Sequence, residues 1–104
     1  MDFYIKQGDT LPIFVVQLLD DNGNPIDLAG CIVKLWIDGM DGFPKEMTIY
    51  GDGIVAYKFT TTDTLKIGTY LAEIQIAYNN GDIITLPTIG NIKIHVYDTL
   101  REVI

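Results

Sequence analysis

Along most of its length the chain alternates apolar and polar residues with a period of two, and no window carries the 3.6-residue stripe of an amphipathic helix. CIVKLWID shows the alternation most plainly. Cys31, Val33, Leu35 and Ile37 share one face, and Lys34, Trp36 and Asp38 share the other. The same period predicts strands over FYIK (3–6), PIFVVQLL (12–19), KEMTIY (45–50), GIVAYKF (53–59), TYLAEIQIAY (69–78), IITLP (83–87) and NIKIHVY (91–97). PIFVVQLL differs from the rest in being apolar on both faces. Between the strands lie clusters of turn formers: DDNGNP, GMDGFP, GDG and NNGD. In NNGD, Asn and Gly are expected to supply the positive-φ positions of a hairpin turn.

Seven or eight short strands, spaced by about 8–12 residues, predict a β-sandwich or a small barrel. The stretch TTTDTLKIGTY decides between them. Asp63 and Thr64 suit a one-turn helix or tight corner, with Asp63 placed to cap free N–H groups. Gly68 supplies the reversal, and Tyr70 follows in phase with Ala72, Ile74, Ile76 and Tyr78. In Greek-key sandwiches a tyrosine at the start of a late strand bonds a backbone group a few residues upstream and locks the crossover between sheets. Asp63, Gly68 and Tyr70 therefore form the expected structural corner. The predicted fold is all-β: an immunoglobulin-like Greek-key β-sandwich of about seven to eight strands with a tyrosine corner, spanning residues 1–97. Residues 98–104 form a short tail or linker.

Composition narrows the function classes. A chain of 104 residues has the size of one domain. Fourteen acids against seven bases give a net charge of -7, with Arg101 the single arginine, so nucleic acid is not an expected partner. No run approaches the ~18 apolar residues of a membrane span. The segment MDFYIKQGDT lacks the basic and apolar regions of a secretory signal. Cys31 is the single cysteine, which excludes an internal disulfide and suggests a small buried hydrophobe made in a reducing cytoplasm.

Candidate chemistry is sparse. The chain has no serine and one histidine, so a serine triad is impossible and a Cys–His pair requires Cys31 to meet His95. Alternation points Cys31 inward and His95 outward. Asp20, Asn22 and Asn24 echo the start of a calcium loop, but Pro25 stands where that loop needs glycine and Cys31 where it needs glutamate. A hairpin turn is the better reading. Asp38, Asp41, Glu46 and Asp52 are carboxylates in loops or at strand ends, with no pattern that pairs them. Neither an enzyme nor a cofactor or metal site is expected. The surface offers more: Trp36 on an outer strand face, followed by Met40 and Phe43 in a glycine-flanked loop, forms a candidate interface. The amino-terminal strand and the tail are further contact candidates.

The order IKQGDTLP, LDDNGNPIDLAG, IVKLWI, GDGIVAYKFTTTDT, IGTYLAEIQIAYNNGD and ITLPTIGNIKIHVY resembles the amino-terminal domain of phage baseplate upper proteins and related small immunoglobulin-like virion domains of tailed phages. The resemblance covers residues 3–97 and is most telling over 63–87. It implies a non-enzymatic assembly role in the virion, made in the host cytoplasm. Its partners would be other baseplate, tail, fibre or neck proteins, and it would act as a homo-oligomer in the particle. Baseplate upper proteins continue into a helical segment and further domains, whereas this chain stops at Ile104. The alternative is a carbohydrate-binding module of an adhesin, which would need Trp36 coplanar with Tyr57 or Tyr97.

Overall fold

The computed structural model describes residues 1–100, in which every regular element is a strand. The strands are β1 (Asp2–Lys6), β2 (Phe14–Gln17), β3 (Ile32–Ile37), β4 (Lys45–Glu46), β5 (Thr48–Ile49), β6 (Ile54–Tyr57), β7 (Gly68–Ala77), β8 (Ile83–Leu86) and β9 (Ile92–Tyr97). One sheet runs β1-β9-β7-β3-β4, with β8 also paired to β7; the other runs β2-β6-β5. Read as strands B, E, D against C′, C, F, G, this is the immunoglobulin arrangement, with β1 added parallel to β9. The last four positions of the tail expected over 98–104 lie outside the described residues.

The alternation read from sequence is what places the core. Val33, Leu35 and Ile37 of β3, Ala72, Ile74 and Ile76 of β7, and Ile92, Ile94 and Val96 of β9 are all buried. Phe14, Leu18, Met47, Val55 and Phe59 meet them from the second sheet and its flanks. Apolar rows from two facing sheets, interdigitating at about 10 Å, are the sandwich solution to burying one face of each strand.

Three details depart from the expected strand plan. KEMTIY is not one strand: β4 pairs with β3 and β5 with β6, so the chain changes sheets at Met47. Met47 is buried and its N–H reaches Val33 O at 2.8 Å, which anchors the crossing. That split raises the strand number to nine among the described residues. In the turn after β7, only Gly81 has positive φ; the asparagines do not. Asn80 instead accepts the N–H of Asp82 through its side-chain oxygen at 2.9 Å, an Asx-type turn. Finally, β8 and β9 are two halves of one return strand along β7. Ile74 pairs with Leu86 and Ala72 with Ile92, so Glu73 alone faces residues 87–91, which loop outward.

The corner between β6 and β7 forms as the sequence predicts. The Tyr70 ring is buried, and its hydroxyl donates to Lys66 O at 2.6 Å. Gly68, at φ 153°, presents no side chain against that ring, and Gly39 covers it from the other side. Thr60 and Asp63 cap each other reciprocally: Thr60 N–H donates to the Asp63 carboxylate at 3.0 Å, and Asp63 N–H donates to Thr60 Oγ1 at 3.1 Å. The fully buried Thr64 ties the corner to the segment after β1, its hydroxyl donating to Asp9 O at 2.9 Å while its own carbonyl accepts from Gly8 N–H at 3.0 Å.

Candidate interaction surfaces

The three residues expected to share one surface are separated by the fold. Trp36 is 43% exposed on the outer face of β3, as its register predicts. Met40 is 8% exposed and belongs to the hydrophobic core, not to the surface. Phe43 is half-buried, edge-on to Tyr57 at 5.6 Å and tilted against Phe59 at 6.4 Å. The physical reason is that the loop 38–44 folds its apolar side chains over the open end of the sandwich. Such a loop has no period from which inside and outside could be read. Trp36 keeps different company: with Asp38, Leu71, Glu73 and Asn91 it lines an open depression of about 420 Å³.

Asp63, expected as a cap, does more than cap. Its carboxylate also accepts the Tyr57 hydroxyl at 2.6 Å. Burial first, then that bond and the Asp63 charge, push the Tyr57 phenol above its ordinary range; burial alone raises Tyr70. An unfolded tyrosine ionises near pH ~10. Above that, the unfolded chain has released protons that the folded chain retains, so the tyrosines' contribution to stability is full below pH ~10 and is lost as pH rises through the folded values. Urea titrations of the parent and Tyr57→Phe at neutral pH and above pH ~10 should therefore show the smaller alkaline loss in the variant.

Sequence reasoning missed a cluster on the outer face of the larger sheet. His95 points outward as expected, yet its side chain is only 15% exposed. Nε2 meets Asp2 Oδ1 at 2.8 Å and Nδ1 meets Thr69 Oγ1 at 3.1 Å. The ring stacks on Tyr4 at 4.8 Å, and Tyr97 continues the stack. The bond from His95 holds the Asp2 carboxyl below the usual carboxylate range. These contacts join residues up to 93 positions apart, so no local motif announces them; the signal available was the shared outward phase of Tyr4, His95 and Tyr97. The cluster clamps β1 onto β9 and β7. A hydroxyl, an imidazole and a carboxylate stand in line, but on the face of a sheet.

Other candidates are placed as follows. Cys31 packs half-buried at one end of β7, where Ile32 pairs with Ala77, while His95 pairs with Thr69 at the other. That separation is roughly 25 Å at ~3.3 Å per residue, so the two do not meet. Asp20 accepts the N–H groups of Asn22 and Asn24, both at 2.9 Å, and so builds its own turn. Tyr57 is committed to Asp63, and Tyr97 lies beyond the Gly68–Val96 pair whereas Trp36 stands opposite Glu73. Trp36 and Tyr97 are thus roughly 20 Å apart along the sheet, too far to form one flat sugar platform.

No protein-family model matches the chain, and no curated protein matches it either. Among solved structures the chain is similar to the crystal structure of CopC from Methylosinus trichosporium OB3b, with a TM-score of 0.51 at 10% identity, covering 97% of this chain and 88% of that one. The likeness extends through nearly the whole of both chains and shows the fold alone, an immunoglobulin-like β-sandwich.

Proposed function

We propose that this domain is a non-enzymatic structural module of a tailed-phage virion, attaching receptor-binding or fibre proteins to a baseplate or tail through protein–protein contacts. The viral part of this reading rests on the sequence resemblance. The contact part rests on one observation: a tryptophan, a residue type enriched at binding hot spots, stands 43% exposed beside Leu71 at an open depression. Trp36 lies outside the hydrophobic core, which supports reading it as a contact residue. The carbohydrate-binding alternative loses its second aromatic, because Tyr57 and Tyr97 are both engaged elsewhere.

Co-expression with the products of the neighbouring genes tests the reading. Trp36→Ala should leave the thermal midpoint nearly unchanged and lower the affinity for the captured partner by roughly 30-fold, the effect of a hot-spot residue. An unfolded variant would make Trp36 part of the core and end the argument. A glycan-array signal lost with Trp36 would favour the adhesin reading instead.

A further inference from the structure

Strand β2 is apolar on both sides. Phe14 and Val16 face the core, followed by Leu18, while Val15 and its flanking neighbours Ile13 and Leu19 project from the opposite side, each 44–53% exposed. An antiparallel strand with one wet face carries polar residues there; apolar residues on both faces mark a strand that is covered twice. Gln17 is the one polar member of the outward row, and its amide is tied to Asp52 O at 2.9 Å. The neighbouring strands extend the surface. Ala56, itself only 7% exposed, lies between Val15 and Thr48, Ile54 lies opposite Gln17, and the exposed Tyr50 donates its N–H to Ile54 O. Met1 and residues 86–92 share a depression with the Val16–Leu19 edge, while the outward Val15 and Tyr50 stay more than half exposed.

Its charges are arranged end to end. Lys58 projects at the Ile13 end, two residues past Ala56 on the same side. Asp52 in the β5–β6 turn and Asp20 and Asp21 after Leu19 are exposed at the other end. The exposed surfaces of Ile13, Val15, Leu19 and Tyr50 amount to roughly 370 Å², within the ~300–600 Å² of a monomer's largest apolar patch.

We infer that a second copy of this chain docks on the outer face of β2-β6-β5, about a two-fold axis lying in the interface and perpendicular to the strands. That operator reverses strand direction between the copies, so the Lys58 end of each meets the carboxylate end of the other. An axis along the strands would instead set lysine over lysine and acid over acid, which disfavours it. A foreign partner needs no such self-complementarity; a second copy does. The dimer leaves the Trp36 face, on the other sheet, free for a different partner. It stands independently of the virion reading.

Sedimentation velocity on the whole chain, from low micromolar to near-millimolar concentration, tests it. The parent should pass from monomer to dimer across that range. Val15→Glu should weaken the dimer by roughly 30-fold or more, and Lys58→Glu by about tenfold, with unchanged far-ultraviolet circular dichroism. Should Val15→Glu fail to fold, Val15→Thr keeps the side-chain shape and should still weaken association. Trp36→Ala should leave the dimer intact. A chain that stays monomeric throughout overturns the inference, as does a dimer that resists the Val15 and Lys58 changes or dissociates on loss of Trp36. Loss of partner capture by Trp36→Ala alone bears on the virion reading and not on this one.

Discussion

Gly53→Ala is expected to destabilise the domain by about 3 kcal/mol, lowering the thermal midpoint by roughly 15 °C. Two effects combine. Gly53 has φ 72°, following Asp52 at φ 62°, so both central residues of the β5–β6 turn are left-handed as a primed hairpin turn requires. Placing a Cβ there costs about 1–2 kcal/mol of backbone strain. The larger effect is steric. A Cβ on Gly53 would stand 2.6 Å from Leu18 O and 3.2 Å from Ile26 N, and both are backbone atoms that cannot turn aside. Those same atoms are bonded to each other, Ile26 N–H to Leu18 O at 2.9 Å, and Leu18 N–H donates to Gly53 O at 2.8 Å. Three segments would have to separate at once. Gly51→Ala, two residues away, meets nothing within 4 Å and should lie within ~0.5 kcal/mol of the parent in urea denaturation. Equal losses at the two sites would show that the close backbone approach is not the cause.

Asp63→Ala should cost about 2–3 kcal/mol, the second largest effect expected. The carboxylate accepts two hydrogen bonds, from Tyr57 O–H at 2.6 Å and Thr60 N–H at 3.0 Å, in a site only 8% exposed. Removing the acceptor leaves both donors without it, and a bond to a carboxylate carries about 1.5–3 kcal/mol. Thr60→Ala removes the other half of the reciprocal cap and should cost only about 1 kcal/mol, the ordinary loss of a cap, because the Asp63 carboxylate keeps its bond from Tyr57. Calorimetry on the two variants separates them. If they lose the same amount, the Tyr57 contact contributes nothing and Asp63 is only a cap.

Much of this architecture is legible in the residues. The strict alternation of Val33, Leu35 and Ile37, and of Ile92, Ile94 and Val96, has only one phase that hides it from water, and the fold uses that phase. Tyr70 is legible for a different reason: a phenol two residues after a glycine has a hydroxyl to satisfy and a loop behind it to bond. What stayed hidden has physical causes too. A strand that changes sheets at Met47 keeps its alternation, because a buried residue at the crossing serves both sheets. Met40 and Phe43 sit in a loop without periodicity, so their burial depends on the end of the sandwich they close. The parallel β1–β9 pairing and the Asp2–His95–Thr69 contacts depend on registers between distant segments, which no local pattern records. The apolar outer row of β2 was visible as a strand hydrophobic on both faces. Its meaning waited on the fold, which leaves Ile13, Val15 and Leu19 about half exposed.

The break in the return strand has a consequence for how such a domain can vary. Because Leu86 and Ile92 are each held in register by their own partners on β7, the five residues between them bear none of the ladder, and Ile89 stands 91% exposed at their tip. Length and chemistry there can drift from one descendant to another without moving a core residue. The seam between β8 and β9 is thus a natural graft point, where a new specificity could be acquired on an unaltered chassis.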